Sequence, residues 1–284
     1  MGTAEAIYVC GATAVGKTSH ALALARELDG EIVNGDAFQI FRGIDTISAA
    51  PSADELARFP HHLFGVLEPG EKCDAGRYSE MAAPVIAEIQ GRGKTPIVVG
   101  GSGLYLKFLT HGASPLPKGD PAMRAEMDVR PLDDLLAELE KLDPAEAAQV
   151  SRTNRRFVSR SLEICLLTGE KVSELRDGWE KKTRERERSL KGDWLIRDRA
   201  DLHARIALRT KQMLSDGAIE EVARLAGIHG NWEKAIGVGE IRRRLAGDIS
   251  RAECEELIVF ATRQYAKRQE TWFRREKWLK RVEL

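Results

Sequence analysis

The chain has 284 residues, enough for one large domain or for a main domain carrying an insertion. Lys+Arg and Asp+Glu number 44 each, so no global positive excess marks a polyanion binder, although a basic stripe on one face would suffice for phosphate contact. No run approaches about 18 apolar residues, and no basic leader precedes a long apolar stretch. A signal peptide and a membrane span are therefore not expected, and a cytoplasmic protein is. The four cysteines (Cys10, Cys73, Cys165, Cys254) form no CxxC pair, which argues against a zinc site or a disulfide framework.

In chain order, Ala6-Ile7-Tyr8-Val9-Cys10 is a short continuous apolar run, as a buried parallel strand requires. Residues 18–28 carry helical spacing (Ala21, Leu22, Leu24, Ala25, Leu28), closed by Asp29-Gly30. Glu31-Ile32-Val33-Asn34 reads as a second strand and residues 78–90 as a helix. Thr95-Pro96-Ile97-Val98-Val99 reads as a third strand, delivered into Gly100-Gly101-Ser102-Gly103. Strands alternating with helices predict an α/β fold, a parallel sheet core covered by helices. Pro115, Pro117, Gly119 and Pro121 then mark a boundary. Residues 115–193 show helical periods only: one stripe of Leu132, Leu135, Leu136, Leu139 and Leu142, another of Val158, Leu162, Cys165 and Leu166. We expect a small all-helical domain inserted between core segments 1–114 and 194–284. Trp194-Leu195-Ile196-Arg197 reads as a strand returning to the sheet, and a long helix is expected from about residue 251 to the C-terminus.

The strongest local signal is Gly11-Ala12-Thr13-Ala14-Val15-Gly16-Lys17-Thr18, which fits G-x-x-x-x-G-K-[ST] between a strand and a helix. In such a P-loop the glycines let backbone N–H groups converge on phosphate oxygens. The helix N-terminus adds partial positive charge, Lys17 adds a full one, and Thr18 offers a hydroxyl to Mg²⁺. The motif does not itself imply ATP hydrolysis. Enzymes that hydrolyse or transfer phosphate on this fold hold Mg²⁺ with a strand-end carboxylate, and the strand at 95–99 ends in glycines instead. The available strand-end carboxylate is Asp36. It is either a base for a nucleophile attacking a phosphate-activated group or a helix-cap or turn aspartate; Ser102 either hydrogen-bonds that carboxylate or the substrate, or fills a glycine turn.

Basic charge concentrates near the end, with eight basic residues against three acidic in residues 257–284. Arg263, Lys267 and Arg274 fall on one helical face, a candidate nucleic-acid surface. The neighbouring stripe of Ala261, Tyr265 and Trp272 reads as core rather than as a base-stacking platform. The alternating charges of residues 180–191 read as a solvated helix, and His61-His62 as structural.

Taken together these motifs resemble the tRNA dimethylallyltransferase family. The likeness is carried in order by the loop 11–18; by Val33-Asn34-Gly35-Asp36-Ala37-Phe38-Gln39; by Pro60-His61-His62-Leu63; and by Gly100-Gly101-Ser102-Gly103-Leu104-Tyr105. It continues through Arg160-Ser161-Leu162-Glu163, Asp198-Arg199, Arg205-Ile206, Arg209, and Thr262-Arg263-Gln264-Tyr265-Ala266-Lys267-Arg268-Gln269 with Thr271-Trp272-Phe273-Arg274. The resemblance implies transfer of a prenyl group from dimethylallyl diphosphate to the exocyclic N6 amine of the adenosine 3′ of the anticodon, in tRNAs reading codons that begin with U. It implies that Gly11, Thr13, Ala14, Gly16, Lys17, Thr18 and Arg209 hold the diphosphate with Mg²⁺ assisting, and that Asp36 accepts the amine proton. Ser102 would line the reaction channel. Asp36, Gln39, Ser102, Arg124, Arg156, Arg160, Lys234, Gly237, Arg263 and Lys267 would face the anticodon stem-loop of the tRNA, and a monomer is expected. The sequence departs from the family pattern at Ala37, Phe41, Ala50, Phe157 and Val238. The competing readings are a free adenine-nucleotide isopentenyltransferase, a P-loop small-molecule kinase, and a tRNA-binding protein without catalysis.

Overall fold

The computed structural model describes residues 5–112, 117 and 119–284. Six parallel strands form one sheet: β1 (Ile7–Gly11), β2 (Gly30–Asn34), β3 (His61–His62), β4 (Thr95–Gly100), β5 (Lys191–Ile196) and β6 (Lys280–Glu283), in the order β3-β2-β4-β1-β5-β6. Side chains alternate between the faces, as the pleat dictates. Tyr8, Cys10, Val33 and Val98 enter one apolar cluster; Val9, Ile32, Ile97 and Leu195 enter another. Each face is covered, which is why the sequence shows continuous apolar runs rather than alternation.

Two compact units divide at Gly112/Ala113 and Arg188/Ser189. The smaller is helical. Its core gathers Leu135, Leu136 and Leu139 from Leu132–Leu142 with Val158, Leu162 and Cys165 from Arg155–Thr168. Pro115 of the proline-rich boundary lies outside the described residues.

Two expectations need correction, and one strand, β3, had no counterpart in the sequence pattern. The segment expected to be helical to the C-terminus stops at Phe273; residues 280–283 then form β6, paired with β5 from Asp193↔Lys280 to Ile196↔Glu283. Lys-Arg-Val-Glu is a charged edge strand with one apolar residue, so no hydrophobic pattern announces it. The two residues of β3 pair with Ile32 and Val33, too short a strand for any periodicity. The returning strand starts at Lys191, not Trp194. The His61-His62 pair is held by the fold: His61 Nδ1 lies 2.8 Å from the Phe59 carbonyl, and His62 Nε2 lies 2.7 Å from Glu31, which also accepts from Arg92 at 2.8 Å.

The ends of β2, β4 and β1 are in register, with Asn34 beside Val99 and Gly100 beside Cys10. A Cβ on Gly100 would lie 2.0 Å from the Gly35 carbonyl oxygen and 2.7 Å from its Cα, so only glycine permits this approach. Because the obstacle is backbone, Gly100→Ala is expected to destabilise by about 3 kcal/mol or more, at the upper end of overpacking costs, measured by urea unfolding. A variant within 0.5 kcal/mol of the parent, the ordinary range for surface changes, would show that the crossing has room to open.

Candidate active site

The loop after β1 runs from Gly11 into the helix Lys17–Glu27. Gly16 (φ 116°) and Ala14 (φ 62°) have left-handed backbone, which turns successive N–H groups inward. The outward carbonyls are taken by cations. Arg205 Nε donates to Ala14 O at 2.8 Å, Arg197 Nε to Val15 O at 3.1 Å, and Lys17 Nζ to Ala12 O at 2.8 Å and Gly11 O at 3.1 Å. With these carbonyls satisfied the loop is suited to meet an anion, although the Thr13 N–H is already held by Gln269 Oε1 at 2.8 Å.

Asp36 follows β2. The buried Asn34 fixes it: Asn34 Oδ1 accepts the Asp36 N–H at 2.8 Å, while Asn34 Nδ2 donates to Leu63 O at 2.9 Å. The Tyr78 hydroxyl donates to Asn34 O at 2.8 Å. Asp36 Oδ1 in turn accepts the Phe38 N–H at 2.9 Å, so the carboxylate is oriented from its own turn. Ser102 is buried and its Oγ accepts the Ala37 N–H at 2.9 Å. It supports the Asp36 turn from behind and is not among the residues lining the cleft, so the direct channel contact implied by the resemblance is not what its geometry offers.

Thr13, Ala14, Gly16, Lys17, Thr18, Asp36, Gln39 and Arg209 line one cavity of about 180 Å³. Phe38, Ile47, Val99, Met213, Ile236 and Ile258 give it an apolar wall, and Ser48, Thr210 and Thr262 add polar groups. Desolvation, opposed by Asp36 and reinforced by Arg209, pulls Lys17 down to about 8. Surrounding protein and the nearby Arg205 likewise hold Arg209 below its usual range, against the pull of Asp36. Two cations sharing a cleft with apolar side chains make a site for a compact polyanion bearing a hydrocarbon tail. Gln39 Nε2 is committed to the Ala49 carbonyl at 2.8 Å, closing the cleft beside Ile47.

Two contributors carried no assigned role in the sequence reading. Gln269 is 4% exposed; its Oε1 accepts the Thr13 N–H at 2.8 Å and its Nε2 donates to Gly101 O at 2.9 Å. Tyr265, one turn earlier on the helix Arg251–Phe273, lines the cleft. Burial and the Asp36 charge push its phenol up to about 12, against hydrogen bonding from Ser102. The aromatic stripe is therefore not core, contrary to expectation. Tyr265 faces the cavity and Trp272 is 38% exposed, because the helix buries the face of Cys254, Ile258, Ala266 and Phe273 instead. On the same helix Lys267 is exposed, and Arg263 is half-buried with an Nε that has no hydrogen-bond partner. Gly237 (φ 105°) abuts Ile47 and Ile258 of the cleft wall, and Lys234 is exposed just before lining residue Ala235.

In the helical unit, Arg124, Arg156 and Arg160 line a second concavity with Arg155 and Ser159. Glu163 organises it, accepting from Arg160 at 2.5 Å and from Arg124 Nε at 3.0 Å. Burial would raise the Glu163 carboxyl, yet the hydrogen bonds from Arg160 and Arg124 hold it below the usual range.

Comparison with known proteins places these features. The IPP transferase family model matches residues 39–276, and an isopentenyl transferase model matches residues 4–62. The tRNA dimethylallyltransferase of Akkermansia muciniphila is 41% identical over 277 residues, covering 97% of this chain and 92% of that protein. That of Stenotrophomonas maltophilia is 40% identical over 288 residues, covering 95% and 90%. Among solved structures, the tRNA isopentenylpyrophosphate transferase of Bacillus halodurans superposes with TM-score 0.72 at 32% identity, covering 99% of this chain and 90% of that one. A eukaryotic dimethylallyltransferase described as acting on tRNA gives 0.78 at 26% identity, covering 99% and 74%. The sheet, the donor-lined loop and these matches along nearly the whole length agree: the chain belongs to the IPP transferase family, among the tRNA dimethylallyltransferases.

Proposed function

We propose that this protein transfers a dimethylallyl group from dimethylallyl diphosphate to the N6 amine of the adenosine 3′ of the anticodon, in tRNAs that read codons beginning with U. The observation that carries the reading is the cleft itself, which gathers Lys17, Arg209 and Asp36 with apolar side chains such as Phe38, Met213 and Ile258. The diphosphate lies on the loop N–H groups, Lys17 and Arg209, and the prenyl chain lies against the apolar wall. The amine nitrogen attacks C1 as the C1–O bond breaks; diphosphate leaves onto Lys17 and Arg209, and the nitrogen's proton passes to Asp36. The target base has to leave its stack to reach this site.

The donor set suits a hard divalent cation. Thr18, exposed at the loop mouth, and Asp36 bring oxygen ligands to the cleft, and no cysteine or histidine lines it. Thr18 would hold Mg²⁺ together with diphosphate oxygens, and the ion would neutralise charge on the leaving group. All these groups come from one chain, so a monomer suffices. No helix among the described residues is long and apolar enough to cross a membrane, and a tRNA acceptor fits a cytoplasmic setting. For the acceptor, Arg124, Arg156 and Arg160 of the helical unit, and Lys234, Gly237, Arg263 and Lys267 of the core, supply phosphate-binding and cleft-rim positions.

Incubation with dimethylallyl diphosphate and either an unmodified anticodon stem-loop or AMP tests the reading, with the nucleosides read by mass spectrometry. Prenylated stem-loop is expected; prenylation of AMP alone would make the protein a free-nucleotide enzyme. Asp36→Asn keeps an acceptor for the Phe38 N–H but removes the base. It is expected to slow single-turnover transfer by about 10²-fold or more without weakening donor binding, since a negative charge leaves the cleft. A near-normal rate would take the base role away from Asp36.

The low Lys17 value gives a pH signature. Diphosphate binding favours the charged amine, so affinity is full below pH 8 and falls as pH rises through about 8. Calorimetry with inorganic diphosphate in buffers of different ionisation heat should show proton uptake near pH 8, lost in Lys17→Ala. Equal affinity at pH 7 and 9.5 would show that Lys17 does not contact the anion.

A further inference from the structure

We infer that Gln269 is a positioning residue for the transfer reaction, a two-ended tie that fixes the diphosphate loop relative to the turn supporting Asp36. The inference rests on the transferase reading above. Thr13 N–H can only donate and the Gly101 carbonyl can only accept, so the orientation of the Gln269 amide between them is unambiguous. The fit is close: a Cβ on Gly101 would lie 2.2 Å from Gln269 Nε2.

The two ends of the tie belong to different halves of the chemistry. Thr13 sits in the loop that takes the leaving diphosphate. Gly101 precedes Ser102, whose Oγ accepts the N–H of Ala37, the residue after Asp36. The path from loop to base therefore runs from Thr13 through Gln269 and Gly101 to Ser102 and the Asp36 turn. Displacement at C1 needs the attacking nitrogen, carbon and leaving oxygen in line, and errors of about 1 Å in such alignments cost about 10²-fold in rate. Among side chains, glutamine alone matches both partners over this span. Glutamate lacks the donor when ionised, asparagine is a methylene short, and methionine satisfies neither end.

The test compares Gln269→Ala and Gln269→Glu with the wild type. Two quantities are read: single-turnover prenylation of an unmodified anticodon stem-loop at saturating dimethylallyl diphosphate, and calorimetric affinity for inorganic diphosphate. Gln269→Ala is expected to lose at least about tenfold in rate while its diphosphate affinity changes by less than about threefold. Gln269→Glu is expected to show a comparable loss at pH 8. Its rate relative to wild type should recover at pH 6, where the protonated carboxyl again donates to Gly101 O; the alanine variant should not recover. A wild-type rate in Gln269→Ala, a loss confined to diphosphate affinity, or the same pH-independent ratio in both variants would overturn the inference. A wild type that takes up diphosphate but prenylates nothing overturns the transferase reading and this inference with it. A wild type that prenylates while Gln269→Ala keeps its rate overturns this inference alone.

Discussion

Everything at the cleft depends on Gly100 lying against Gly35 with no side chain between them. That approach brings the ends of β2 and β4 together beside β1, so three loops open at one edge of the sheet. Parallel sheets place ligands at their C-terminal edge because the loops there diverge from a common floor. Here the divergence is small: Asn34 secures the β2 loop, Ser102 ties it to the β4 turn, and Gln269 ties that turn to the phosphate loop. A crevice built this way is rigid because each polar group that faces inward is oriented by another behind it.

The electrostatics follow from that rigidity. Burying cations is costly, which is visible in the lowered values of Lys17 and Arg209, with repulsion from Arg209 adding to the first and from Arg205 to the second. The cost is borne in the absence of an anion and relieved by one, so the site is primed for negative charge. Asp36 moderates the repulsion, and this makes it both a partner for the cations and a base beside them. The apolar side chains that share the cleft lower the local dielectric and so strengthen these interactions.

Much of this was legible in the residues. The glycine-rich loop between an apolar run and a helix identified itself, and Asp36 stood out as the carboxylate at a strand end. The helical unit showed in its leucine spacing, because two or more turns of stripe are hard to mistake. What escaped detection shared a physical cause. The strands β3 and β6 are short or charged and owe their form to a neighbour's hydrogen bonds. Tyr265 and Trp272 have the spacing of a core stripe, and spacing alone does not say which face of a helix meets a cavity. Gln269 sits in a polar signature where nothing local distinguishes a buried amide from an exposed one. Its role lies in partners that are 256 and 168 residues distant in sequence.

Those separations bear on how the protein is made. The phosphate loop is synthesised 256 residues before the side chain that meets Thr13, and β6 joins β5 later still. A nascent chain therefore carries its glycine-rich loop and its lysine through that whole interval without the tie to the β4 turn. Full assembly of the cleft is a late event in the life of each molecule, so a chain arrested before the long helix emerges has the recognisable motif but not the complete site.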